Sequence, residues 1–117
     1  MRIRIFHILL LFIILLCGAC SQYSRIQKSS DYQKKLVFAN KLYDNKKYSQ
    51  AFDLYEDLMK VYKGTAQFED IDYRYSYAAF YMGDYTTAAF NFKNFVDYFP
   101  NSKRAPEMAY MQAYCFY

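Results

Sequence analysis

Two cysteines three residues apart, Cys17 and Cys20, close an unbroken apolar run in the segment LLCGACSQYSR at residues 15–25. A C-x-x-C spacing suits zinc or dithiol–disulfide exchange, but both need a folded frame. Zinc needs a second ligand pair, and the only other cysteine, Cys115, lies near the far end of the chain. A redox thiol is activated at a helix N-terminus, whereas Cys17 falls at the tail of the hydrophobic stretch. Both chemistries are therefore set aside, and the pair must be read from its flanks. Other reactive groups are few. His7 is the only histidine and sits in the same apolar stretch, so a histidine-containing triad or a zincin-type site is excluded. Outside this stretch the glycines are Gly64 and Gly83, both at expected turns, and no Gly-rich phosphate loop occurs. Asp70 and Asp72 near Tyr73 are the acid–phenol grouping that an enzyme reading would use. They read as first-turn acids favoured by the helix dipole rather than as an active site. The inventory implies a non-enzymatic protein with no cofactor and no metal.

The flanking elements explain the cysteines. Residues 1–16, MRIRIFHILLLFIILL, place Arg2 and Arg4 ahead of a hydrophobic stretch from Ile5 to Leu16, the n-region and h-region of a secretion signal. From Ile5 to Ala19 the run falls short of the ~20 apolar residues that span a bilayer. A retained, tilted membrane anchor is the alternative. Gly18 and Ala19 immediately before Cys20 resemble the lipobox of bacterial lipoproteins, with one departure: Cys17 stands where Leu is usual, and Leu16 lies one place further back. The resemblance implies cleavage after residue 19, acylation of Cys20 and a lipid-anchored chain; Cys17 fits worse, because bulky Leu16 would precede it. Ser21, where inner-membrane lipoproteins of enteric bacteria often carry Asp, leans toward the outer membrane and a periplasm-facing domain. Residues 20–30 then form the acylated N-terminus and a polar tether. Loss of Arg2 and Arg4 with the leader takes the 15 basic residues to thirteen against 11 acidic ones, a balance that gives no support to nucleic-acid binding.

The remainder repeats itself. NKKYSQAFDLYEDLMKVYKG and MGDYTTAAFNFKNFVDYFPN superpose with a shift of 37 residues, laying Tyr48 on Tyr85, Ala51 on Ala88, Tyr55 on Phe92 and Leu58 on Phe95. The same shift lays Tyr43 on Phe80 and Phe80 on Tyr117. Ala51, Tyr55, Leu58 and Tyr62 form an apolar stripe of helical period, repeated by Ala88, Phe92, Phe95 and Phe99. Asp44-Asn45 and Gly83-Asp84 mark turns within pairs, while Gly64 and Phe99-Pro100-Asn101-Ser102 mark turns between units. The expected fold is all-α, with units at 31–64 and 67–101 and an incomplete third at 103–117, about two and a half repeats in all.

Gly83-Asp84-Tyr85-x-x-Ala88-x-x-x-Phe92-x-x-Phe95, closing on Phe-Pro-Asn-Ser, resembles the tetratricopeptide repeat, whose usual length is about 34 residues. The first unit departs from it, with Lys63 where the closing Pro belongs. A lipobox, a tether and elongated repeats together resemble the BamD family of lipoproteins of the β-barrel assembly machinery. The segment YAAFYMGDYTTAAFNFKNFVDYFPNSKRAPEMAYMQAYCFY at 77–117 carries the most specific part of the likeness. The chain matches the N-terminal half of such a protein and stops mid-repeat at Tyr117, which implies a fragment. The resemblance further implies a groove lined by the first helix of each pair: Asn40 and Tyr43, then Tyr73, Tyr77, Phe80 and Tyr81, then Tyr110 and Tyr114. It implies as partners a BamA-like barrel subunit and unfolded outer-membrane protein clients. Phenolic rings suit such a task, since they bury apolar side chains and still hydrogen-bond a backbone. The other reading is a different periplasm-facing repeat lipoprotein, acting as an interaction module in envelope biogenesis or nutrient uptake. Cys115 reads as a small apolar core residue.

Overall fold

The computed structural model describes residues 1–117, apart from the side chains at 16, 17 and 19, so the thiol of Cys17 lies outside the described groups. The chain is helical throughout and divides into two compact units, residues 1–31 and 32–117.

The first unit is built on α1, Arg2–Gln27. Its 26 residues contain no proline, and leucine and isoleucine dominate its first half, so nothing interrupts the backbone ladder. The helix passes through Cys20 without a break, so residues 20–27, expected as a tether, continue it. Gln22, Arg25 and Gln27 are good helix formers, and the first turn of backbone that ends the helix comes only at Lys28 and Ser29. At ~1.5 Å per residue the helix is roughly 39 Å long. Its most apolar window has a mean hydropathy of 2.5, enough by length and composition to cross a membrane, a property that signal sequences share. The sequence expectation of a run too short to span counted only the apolar stretch; the helix outruns it on both sides.

The second unit holds five helices: α2 (Tyr32–Asp44), α3 (Tyr48–Tyr62), α4 (Phe68–Tyr81), α5 (Tyr85–Tyr98) and α6 (Ala105–Tyr114). Each packs on the next in sequence, the pattern of helical hairpins laid in series. The apolar stripes do the packing. Ala51, Tyr55 and Leu58 are buried in α3, and Ala88, Phe92 and Phe95 in α5. Alanine heads each stripe and lets the neighbouring backbone approach. Tyr77, Ala79, Phe92, Phe95 and Met108 join α4, α5 and α6 in one core cluster, with Cys115 packed against it.

The 37-residue period extends to the backbone. At the end of α2 the N–H of Lys47 reaches the carbonyl of Leu42 at 2.9 Å; at the end of α4 the N–H of Asp84 reaches that of Ala79 at 3.1 Å. Lys46 N–H to Tyr43 and Gly83 N–H to Phe80, both 3.0 Å, complete the same C-terminal motif in each unit. The motif requires a left-handed residue, met by Gly83 (φ 83°) and, 37 places earlier, by Lys46 (φ 60°). The turns between units also correspond, with Phe68 N–H to Thr65 at 3.2 Å and Ala105 N–H to Ser102 at 3.1 Å. Pro106 sits in the first turn of α6, where its missing donor costs nothing.

Candidate functional site

The first helices of the successive pairs, α2, α4 and α6, are linked through side-chain contacts. The eight residues expected to line a groove are all on these helices, and the structure brings seven of them into one chain of ring contacts. Starting from α2, Tyr43 meets Tyr48 edge-on at 5.4 Å, and Tyr48 stacks on Tyr81 at 4.7 Å. Tyr81 then stacks on Tyr77 at 5.8 Å, and Tyr77 touches Tyr73 at 4.9 Å. From Tyr81 the chain also runs through Phe80 at 5.6 Å to Tyr114 at 5.9 Å and Tyr110 at 6.0 Å. Offset and edge-on pairs of this kind add roughly 0.5–1.5 kcal/mol each beyond the area they bury. The eighth residue, Asn40, accepts the hydroxyl of Tyr55 at 2.7 Å and so braces α2 on α3.

Tyr48 is the link that sequence reasoning missed, because it opens α3 rather than lining a first helix. The repeat contained the signal: Tyr85, its counterpart, packs on Phe80 at 5.4 Å, as Tyr48 packs on Tyr43.

Charged residues beneath the rings were also not foreseen. Glu107 on α6 accepts two of the phenol hydroxyls of α4, from Tyr73 at 2.9 Å and from Tyr77. Arg74 bonds Asp70 at 3.2 Å and Asp44 at 3.3 Å, with its guanidinium over the Tyr43 ring. Arg104 bonds Asp70 at 3.1 Å and lies 4.3 Å over the Tyr73 ring. Two arginines thus stitch α2 to α4 and α4 to the start of α6, each with an acid and a π-face. Burial, followed by the Glu107 carboxylate, pushes the Tyr77 hydroxyl well above the usual phenol range. Burial does the same to Tyr43. These phenols stay neutral, and Tyr77 donates its hydroxyl to Glu107.

Exposure separates structural rings from available ones. Tyr77 is 8 % exposed and packs in the core, so of the two roles open to a groove ring it fills the structural one. Asn40, Tyr43 and Tyr73 are half-buried, with polar atoms or ring faces taken up inside the network. Tyr81, Tyr110 and Tyr114 are 51, 65 and 49 % exposed. Cavities flank this open set. One of about 630 Å³ lies between Tyr81 and the Lys46–Gln50 segment, and one of about 330 Å³ is lined by Phe80, Tyr85, Tyr114 and Tyr117. The arrangement can clasp apolar side chains between rings and offer free hydroxyls to a backbone.

Asp70 is tied into the arginine network, and Asp72 is buried on another side of α4, away from Tyr73, one residue past the first turn where sequence reasoning put it. Among the described residues no group of three or more His, Cys, Asp or Glu side chains is placed to hold a metal ion. In the first unit, the Cys20 thiol is free and exposed. No family model, no curated protein and no solved structure matches the chain.

Proposed function

We propose that the chain is a lipid-anchored adaptor of the cell envelope, similar to the BamD family, that holds extended segments of other proteins on the aromatic face of tetratricopeptide-like repeats. Cys20 is the acylation site, the outer membrane is the anchoring surface, and the helical unit faces the periplasm. Its clients are unfolded outer-membrane proteins, which it passes to a BamA-like barrel subunit without chemistry of its own. The observation that carries this reading is the exposed row Tyr81, Tyr114 and Tyr110 standing on a braced framework of buried rings. Rigid aromatics lose little side-chain freedom on binding and are the residues most often found at energetic centres of interfaces. A second reading keeps the binding role but retains α1 as a membrane-spanning anchor; the unbroken 26-residue helix favours it.

The test is binding of client-like peptides, amphipathic strands ending in an aromatic residue, to the full chain in detergent micelles. Tyr110→Ala with Tyr114→Ala is the informative pair, since both rings are exposed and their removal leaves the core intact. Tyr77→Ala is unsuitable, because it would open a core cavity. At over 1 kcal/mol per central contact, the double variant is expected to weaken binding at least tenfold with unchanged helicity. Equal affinity in wild type and double variant would eliminate the aromatic face as the binding surface.

A further inference from the structure

A second cleft, of about 280 Å³, opens between α3, α4 and α5, away from the aromatic row. Its floor is polar. Asp72 of α4 and Asn91 of α5 both line it while more than nine-tenths buried. The Nδ2 of Asn91 has no hydrogen-bond partner, although the Tyr75 hydroxyl lies alongside the amide. A buried donor left unmatched costs roughly 1–3 kcal/mol and calls for an explanation, such as a water, an ion or a bound group.

The first repeat unit fills the same place without an unmatched group. The positions 37 residues before Asp72, Asn91 and Asn94 are Lys35, Leu54 and Asp57. There, buried Lys35 donates from Nζ to Asp57 at 2.8 Å, and Leu54 is fully buried and apolar. That unit is self-sufficient, with a cation, an anion and a packed aliphatic chain. In the second unit the same three positions hold an acid and two amides, with no cation among them. Glu56 adds a second carboxylate at the rim, and Met59 and Phe90 provide apolar walls. At 280 Å³ the space falls below the ~300–1,000 Å³ of drug-sized pockets and suits a single side chain.

We infer that this cleft binds a lysine residue of a partner polypeptide, its ammonium against Asp72 and its main-chain carbonyl accepting from Asn91 Nδ2. The ammonium restores the cation that Lys35 supplies in the first unit. The carbonyl answers the unmatched donor, and the lysine stem lies along Met59 and Phe90. A lysine residue satisfies both needs, whereas a free amine satisfies only one.

The experiment is calorimetric or NMR titration of the full chain in detergent micelles with Nα-acetyl-lysine N-methylamide. Its Nε-acetylated analogue and 1,5-diaminopentane serve as comparisons. Saturable binding of the lysine probe is expected, with at least tenfold weaker binding for both comparisons. Asp72→Asn should weaken the lysine probe at least tenfold. Asn91→Leu, which installs the residue the first unit already accommodates at Leu54, should also weaken it and keeps the test open if the Asp72 variant fails to fold. Absence of saturable binding, the result if only a bridging water occupies the floor, overturns the inference. So does affinity unchanged by Nε-acetylation or by both variants, and diaminopentane binding as well as the lysine probe overturns the assignment to a lysine residue.

Discussion

A carboxyl group that is 3 % exposed among Tyr75, Asn91 and Asn94, with Glu56 at the rim, gives up most of its hydration when the chain folds. Burial raises Asp72 from 3.8 to about 7. The folded protein therefore holds a proton that the unfolded chain releases between these values. Stability contributed by the neutral acid is fully present below about pH 4 and is lost as pH rises to about 7. The loss is on the order of a few kcal/mol, since one pKa unit corresponds to about 1.4 kcal/mol. Urea unfolding at pH 4.5 and 7.5 should show the decline in wild type and a markedly smaller one in Asp72→Asn. An equal decline in both would place the titrating group elsewhere. Neither the burial of Asp72 nor the unmatched amide of Asn91 is legible from residue type, because acids and amides on helices are usually solvated. Each becomes unusual only when its neighbours are in place.

Helix ends show the opposite balance, because the repeat announces them. Gly83 and Lys46 occupy the same left-handed position at the ends of α4 and α2, and only glycine takes that conformation without steric penalty. Lys46→Gly is expected to stabilise the chain by roughly 0.5–1 kcal/mol, seen as a higher urea midpoint at constant slope. Gly83→Ala is expected to destabilise by a similar amount, and a rise in its midpoint would contradict the shared motif. The helix pairs, their turns and the buried stripes of α3 and α5 were readable because apolar spacing and turn residues agree in both units. The course of α1 beyond Cys20 was not. Polarity between Ser21 and Gln27 suggested a tether, yet polar residues with good helix propensity continue a helix already nucleated upstream.

At the scale of the whole molecule, the proposed anchoring depends on one thiol and the proposed binding on one face of the repeats. Intact-mass analysis of membrane-extracted protein should show a chain beginning at Cys20 and enlarged by acyl groups, and Cys20→Ser should abolish both changes. A full-length mass without acyl groups would assign anchoring to α1 itself. The groove residues were legible as a set, through the period that aligns first helices. Their division into core and surface was not, since tyrosine serves both roles and only packing against α6 sends Tyr77 inward while leaving Tyr114 open. The unbroken sequence of rings from Tyr43 to Tyr110 has an optical consequence. The chain contains 15 tyrosines and no tryptophan, so its ultraviolet emission originates from phenols, many of them stacked in succession. Excitation absorbed at one end can migrate along the row, and an indole seated anywhere on it would drain the light from its neighbours, making the protein its own unlabelled sensor of occupancy.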